Sequence, residues 1–203
     1  MKTIITLVTG LALCTTTMAQ KEEPAEPRKF EIQATYGMLT TSQIIDAFVK
    51  ITTAVGSLGT VTTSDNKSTG GLYFTAHKLS SNNRFAYGIA VGYDGSNGNF
   101  RNDAGTKSGS YKSSSITIAG EGKINYMNKP NFRLYGFLGA GYTSYNYTFT
   151  TTSGGSEKEE TRLNHINFQL TPIGAAFGDK FGGLLELGLG YKGLLNIGLF
   201  ARF

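Results

Sequence analysis

The sequence predicts an all-β chain: an eight-stranded antiparallel up-and-down transmembrane β-barrel with a short helix in its first long loop. Three observations carry this reading. From Phe30 onward, apolar and polar residues alternate with a period of two, as they do in a strand with two different faces. Tight turns alternate with long polar connections, which is how transmembrane barrels differ at their two ends. Aromatic residues gather at both ends of the apolar faces, as interfacial girdles require. Composition agrees. The 27 glycines, 11 tyrosines and 13 phenylalanines, against 4 prolines and no tryptophan, favour strands and turns over a helix bundle.

Residues 1–19 read as a secretory signal peptide. Met1-Lys2 gives a positive start, Thr3 to Cys14 is mostly apolar, and Thr17-Met18-Ala19 ends on a small residue before Gln20. A lipoprotein signal using Cys14 is the rival, but it wants a small residue before the cysteine and Leu13 is not small. Cleavage after Ala19 removes the only cysteine, and with it any disulfide or thiol chemistry. Residues 20–29, with Pro24, Pro27 and mixed charges, read as a flexible periplasmic lead-in to a barrel over 30–203. The net charge of +5, with acids and bases interleaved, points to no nucleic-acid partner.

The strands follow in order. Phe30, Ile32, Ala34, Tyr36 and Met38 share one face, with Glu31, Gln33 and Thr35 on the other. After a long connection, Thr40–Thr69, comes a weaker segment, Gly70–Leu79. Ser42–Val55 inside that connection reads as a helix, with Ile44, Ile45, Phe48, Ile51 and Val55 on one side and Gly56 as a C-cap. The turn Ser80–Arg84 leads into Phe85, Tyr87, Ile89, Val91 and Tyr93 on one face. Gly95–Tyr111 is the second long connection, before Ile116–Tyr126. Met127–Asn131 is tight and leads to Phe132–Tyr142; Asn146–Thr161 is the third long connection. Leu163–Phe177 is weaker and contains Pro172, which removes a ladder bond and predicts a bulge or strand end. Gly178–Lys180 turns into Phe181–Tyr191, and a short turn around Lys192 leads to the last ten residues. Strands of about ten residues, at ~3.3 Å per residue and about 45° tilt, span roughly 23 Å, the height of an outer-membrane apolar band.

Parity then sorts the side chains. With the tight turns at the periplasmic end, Phe30, Phe85, Tyr126, Phe132, Phe181 and Phe203 form a lower girdle, and Tyr36, Tyr93, Tyr142 and Tyr191 an upper one. Glu31, Gln33, Glu121, Lys123, Arg133, Asn167, Gln169, Glu186 and Arg202 point into the lumen, along with Leu194 and Phe200. An eight-stranded barrel is just wide enough for side chains to fill, so Glu31, Glu121, Lys123, Arg133, Glu186 and Arg202 must pair there. The turn at 127–131 sets Asn125 opposite Arg133 and Lys123 opposite Tyr135. Closure of the first strand on the last brings Glu31 to Arg202.

The residues GFLGAGYTSY (136–145), QLTPIGAAFG (169–178), LLELGLGYKGLLNIGLFARF (184–203) and the loop segment TSQIIDAFVKI (41–51) give the chain a resemblance to a known family. It resembles the small outer-membrane β-barrels of Bacteroidetes-type bacteria, of the OmpA/OmpX-like, porin-family kind. The resemblance covers about Phe30 to Phe203 and implies a barrel in the bacterial outer membrane. It brings no catalytic residues. Phe203, with Ala201, Leu199 and Ile197 on its face, resembles the C-terminal strand signal read by the barrel-assembly machinery. That machinery and outer-membrane lipid are the expected partners; a surface ligand stays unnamed.

Candidate chemistry is sparse. His77 with Ser80 and Glu31, or His165 with Ser144 and Asp94, are the two sets from which a lipid-modifying hydrolase site is conceivable. No metal-ligand spacing exists, and the Gly-x-Gly pairs at 139/141 and 188/190 lack the following helix of a nucleotide loop, so no cofactor is expected. Glu157–Glu160 reads as a solvated loop tip. The expected role is non-enzymatic: to anchor and display surface loops or to support the envelope. A lipid-modifying enzyme and a narrow porin-like channel are the alternatives.

Overall fold

Eight antiparallel strands form one closed barrel: β1 (Phe30–Met38), β2 (Val61–Leu79), β3 (Phe85–Asn102), β4 (Lys107–Lys129), β5 (Phe132–Thr151), β6 (Glu157–Gly178), β7 (Phe181–Gly190) and β8 (Leu195–Arg202). The computed structural model describes residues 28–44, 61–102, 106–151 and 157–203. The expected signal peptide, most of the lead-in and the helix beyond Ile44 lie outside the described residues. Each strand pairs with the next, and β1 closes on β8 with Glu31 opposite Arg202, as expected. The seam runs to the last residue: Phe203 N donates to Phe30 O at 3.0 Å, and Lys29 N and Phe30 N donate to Phe203 O at 2.9 Å.

The outward face is apolar. Phe30, Phe85, Tyr126, Phe181 and Phe203 are exposed at the tight-turn end, and Tyr36, Tyr93 and Tyr142 toward the other, with Ile, Leu and Val between. Leu199 and Ile197 face outward with Phe203, because all three share the parity opposite to the buried Phe200 and Arg202. Pro172 sits at a bulge. On one side the pairing skips between Leu170 and Ile173, on the other between Thr171 and Gly174, as a residue without an N–H dictates.

The long connections are the largest departure from expectation. β2 to β6 run for 19, 18, 23, 20 and 22 residues, so Gly95–Asn102, Lys107–Tyr111, Asn146–Thr151 and Glu157–Thr161 are strand rather than loop. By contrast β1, β7 and β8 have 9, 10 and 8 residues, near the predicted length. Polar composition reads as loop here, because a strand beyond an apolar band carries polar residues on its outward face and loses the apolar signal of a membrane strand. Cross-strand aromatics hold the extension instead. Phe100 lies 5.5 Å from Tyr111 and 5.1 Å from Phe149, and Tyr111 stacks on Tyr147 at 5.9 Å. β1 stops pairing with β2 at Gly71, and β7 first meets β6 at Gln169. Beyond those points β2 to β6 stand out as a five-stranded sheet.

Three local expectations need correction. β4 continues to Lys129, and a register shift between Asn125 and Met127 puts Asn125 opposite Tyr135 and Lys123 opposite Phe137. Asn128, not Asn125, faces Arg133. The bulge keeps Asn125 and Lys123 inward while absorbing a shorter turn. Leu194 is exposed, not luminal, because it lies in the β7–β8 turn, where its N–H donates to Met38 O at 2.9 Å. The end of the lead-in is pinned rather than flexible: Leu79 N donates to Lys29 O at 2.8 Å, and both Arg28 terminal nitrogens bond the Asp179 carboxylate.

Those hydrogen bonds from Arg28 hold the Asp179 carboxyl below its ordinary value of 3.8, against a smaller upward push from burial. A depressed carboxyl contributes stability above its unfolded value and loses it as pH falls through the folded one. The Asp179 side chain is 38% exposed, so solvent screening keeps the contribution below about 1 kcal/mol. The wild-type protein should therefore lose its small advantage over Asp179→Asn as the pH falls from about 5 to about 2. Urea midpoints of the two proteins check this; parallel curves would disprove it.

Candidate functional site

The lumen is the one concentration of chemistry-bearing groups that parity alone assembles. All six charged residues predicted for the lumen, Glu31, Glu121, Lys123, Arg133, Glu186 and Arg202, are buried inside the barrel. Glu31 on β1 is a hub. It accepts from Lys123 Nζ at 2.7 Å and from Arg133 Nη1, and Arg202 Nε lies 3.3 Å away. β1 and β5 stand opposite each other in the ring, so the Glu31–Arg133 pair spans the full diameter. Two of the cations also lie on aromatic faces, Lys123 3.8 Å from the Tyr135 ring centre and Arg133 4.4 Å from that of Phe200.

A second hub sits higher. Glu121 on β4 pairs with Lys192 Nζ at 2.7 Å, accepts from Tyr191 Oη at 2.7 Å and has His77 Nε2 at 3.3 Å. Parity places Tyr191 in the upper outer girdle, and Lys192 reads as a short turn. Both are instead buried in the lumen. Gly190 explains this. At φ 137° it takes a backbone that L side chains rarely adopt, which ends β7 and folds the next residues into the barrel. There Lys192 N donates to Gln169 Oε1 at 2.8 Å and Lys192 Nζ to Thr75 Oγ1 at 3.1 Å. Tyr73 Oη donates to the Tyr191 carbonyl. Gly139 leaves the space the Tyr191 ring uses, since a Cβ there would strike its hydroxyl. The sequence marks a turn around Lys192 but not its fold into the lumen; His77 is readable, because it alternates with Tyr73 and Thr75.

Glu186 stands apart. It accepts from Tyr135 Oη at 2.8 Å, and among the described residues no cation lies within ion-pair distance. Its removal leaves a hydroxyl, not a charge, without a partner. Glu186→Ala should then cost about 1–2 kcal/mol, less than loss of Glu31. The charges balance across the lumen: Glu31, Asp94, Glu121 and Glu186 match Lys123, Arg133, Lys192 and Arg202 among the buried side chains. Burial of so many ions is tolerable only when each finds a partner or a hydrogen bond.

Above the hubs the buried side chains are mostly polar, with Asp94 the one carboxylate among those described, and the start of the first loop reaches over them. Thr40 caps a helical turn at 41–44: Gln43 N donates to Thr40 Oγ1 at 3.3 Å and Ile44 N to Thr40 O at 3.0 Å. The predicted helix thus begins one residue before Ser42. Its first side chains reach the barrel wall: Thr40 Oγ1 donates to Asp94, Ser42 Oγ lies 2.8 Å from Ser115 Oγ, and Thr41 Oγ1 donates to Asn167 Oδ1 at 3.4 Å.

Neither hydrolase set is brought together. Glu31 and His77 do lie opposite each other in the β1–β2 register, but His77 turns to Glu121, and Ser80 is a turn residue whose hydroxyl donates to Asn82 Oδ1 and accepts from Phe85 N. His165 pairs with Thr143, whose side chain is luminal, and Ser144 has the opposite parity. Ser144 instead accepts from Arg162 at 3.1 Å. Asp94 is engaged by Thr40. Among the described residues no cluster of three or more His, Cys, Asp or Glu side chains is placed to hold a metal. Within the acidic run, Lys158 pairs with Glu160 on the exposed start of β6. The chain matches no family model and no curated protein.

Proposed function

We propose that this is a small, non-enzymatic outer-membrane β-barrel protein. Its barrel acts as a sealed anchor and its projecting β2–β6 sheet is the displayed part. The observation that carries this is the Glu31–Arg133 pair across the barrel diameter, stacked under the Glu121–Lys192–Tyr191 cluster. A lumen crossed by paired charges resists both ions and substrates, because opening a path means separating buried charges. The outward belt of aliphatic side chains between aromatic rows supports a bilayer location, as does the resemblance of residues 184–203 to outer-membrane barrel termini. Reconstituted into planar bilayers, the protein should insert and give no stable conductance. It should also migrate faster unboiled than boiled. A steady ion current would replace the anchor reading with a channel, and recovery as a detergent-independent monomer would remove the membrane reading itself.

A further inference from the structure

The outward face carries one misplaced charge. Lys78 projects from β2 with Phe30 opposite it on β1 and Tyr87 opposite it on β3. Among the described residues it is the one charged side chain on the outward face flanked by apolar or aromatic side chains on both neighbouring strands. It lines one of two grooves that meet at its cross-strand neighbour Tyr87. One, of about 500 Å³, lies between Phe30 and Phe203 on one side and Tyr87 and Ile89 on the other, with Ala76 in its floor. The second, of about 570 Å³, runs over Gly120 and Gly122, between Tyr87 and Leu138. Gly120 and Gly122 face open space, with nothing within 4 Å of a Cβ built on either. In a strand otherwise rich in isoleucine, they leave a trough where side chains are expected. Tyr87 is the wall common to both grooves.

We propose that this surface is a site for one diacyl glycerophospholipid of the leaflet at the tight-turn end. Lys78 holds the phosphate and the two acyl chains lie on either side of Tyr87. The inference rests on the membrane reading above. Charge complementarity selects the occupant: a lone ammonium beside two apolar troughs fits an anionic head with two tails. A second copy of the barrel would present its own Lys78 to the same apolar belt. The exposed Lys29 and Arg84 at the same end add attraction for anionic heads.

The test uses native mass spectrometry of the refolded full chain in detergent, titrated with dimyristoylphosphatidylglycerol or with dimyristoylglycerol, which lacks the phosphate. The wild type should retain one phosphatidylglycerol in preference to the diacylglycerol. Lys78→Gln should weaken retention about fivefold, the equivalent of roughly 1 kcal/mol for one basic residue at an anionic lipid surface. Gly122→Leu, which fills the second trough, should weaken it while leaving Lys78 in place. Lys129→Gln, a cation at the same end but away from both grooves, should leave it unchanged. Equal retention by all four proteins, equal loss in Lys129→Gln, or a dimer that Gly122→Leu dissociates would overturn the site. Gel migration of unboiled samples and insertion into vesicles are scored in parallel. Failure of the wild type there sinks the membrane reading, whereas normal insertion with Lys78-independent binding sinks only the site.

Discussion

Glu31→Ala is expected to be the most destabilising single change in the barrel. The carboxylate faces Lys123, Arg133 and Arg202 in a region where all four side chains are almost fully buried. Removing it leaves three cations in low dielectric without their shared ion-pair partner. The expected loss is about 3–5 kcal/mol, the range for breaking a buried ion pair by deleting one partner. Urea unfolding of the protein in lipid vesicles, followed by the unboiled gel band, measures it. The diagnosis has an internal control. In the double variant Glu31→Ala, Arg133→Met, part of the loss should return, because one of the stranded charges is gone and Met lies well against Phe200 and Tyr135. A single-variant loss below about 0.5 kcal/mol, the scale of an ordinary surface substitution, would show that the hub is incidental.

Deletion of Phe203 should lower the yield of folded barrel several-fold while leaving export intact. The terminal residue supplies three backbone hydrogen bonds to the β1–β8 seam, and its ring lies 6.1 Å from that of Phe30. Closing a barrel removes the sheet edge that otherwise invites aggregation, so a residue that completes the seam matters most during assembly. Phe203→Ala separates the two contributions. It keeps the backbone bonds and loses the ring, and should fall between wild type and the deletion. Membrane-fraction yield, with the secreted precursor measured separately, gives the answer. Unchanged yield in the deletion would show that the seam closes without its last residue.

Much of this architecture was legible because a strand pair leaves few choices. Parity, once anchored by one buried Glu31, placed Glu121, Lys123, Arg133, Glu186 and Arg202 inside and Leu199, Ile197 and Phe203 outside. A one-residue slip would have reversed every one of them. Pro172 announced its bulge by its missing N–H. The lengths of β2 to β6 were not legible. Asn146–Thr151 does alternate, with Tyr147 and Phe149 on one face and Asn146, Thr148 and Thr150 on the other, but such a short polar run fits a loop equally well until it is laid against Tyr111 and Phe100. Pairing across strands, not composition, makes them extended. Tyr191 shows the same limit in the other direction. By parity it belonged to the outer girdle, but parity holds only while the strand continues, and Gly190 ends it.

The strand count, the antiparallel order, the two-faced barrel wall and the sign of the charges it encloses were all legible in the linear chain. The faces follow from alternation at period two, and the count and antiparallel order from the short turns between runs, both of which are local in the chain. Beyond the Glu31–Arg202 contact, which closure of the first strand on the last implies, the pairing of the charges came from the folded ring. Glu31 reaches Arg133 from the far side of the ring, Glu121 finds a lysine contributed by a turn, and Glu186 is left to a tyrosine. Those partners are set by the barrel's diameter, by the bulge beside Asn125 and by the backbone reversal at Gly190. All three are properties of the closed ring, and a linear chain does not contain them.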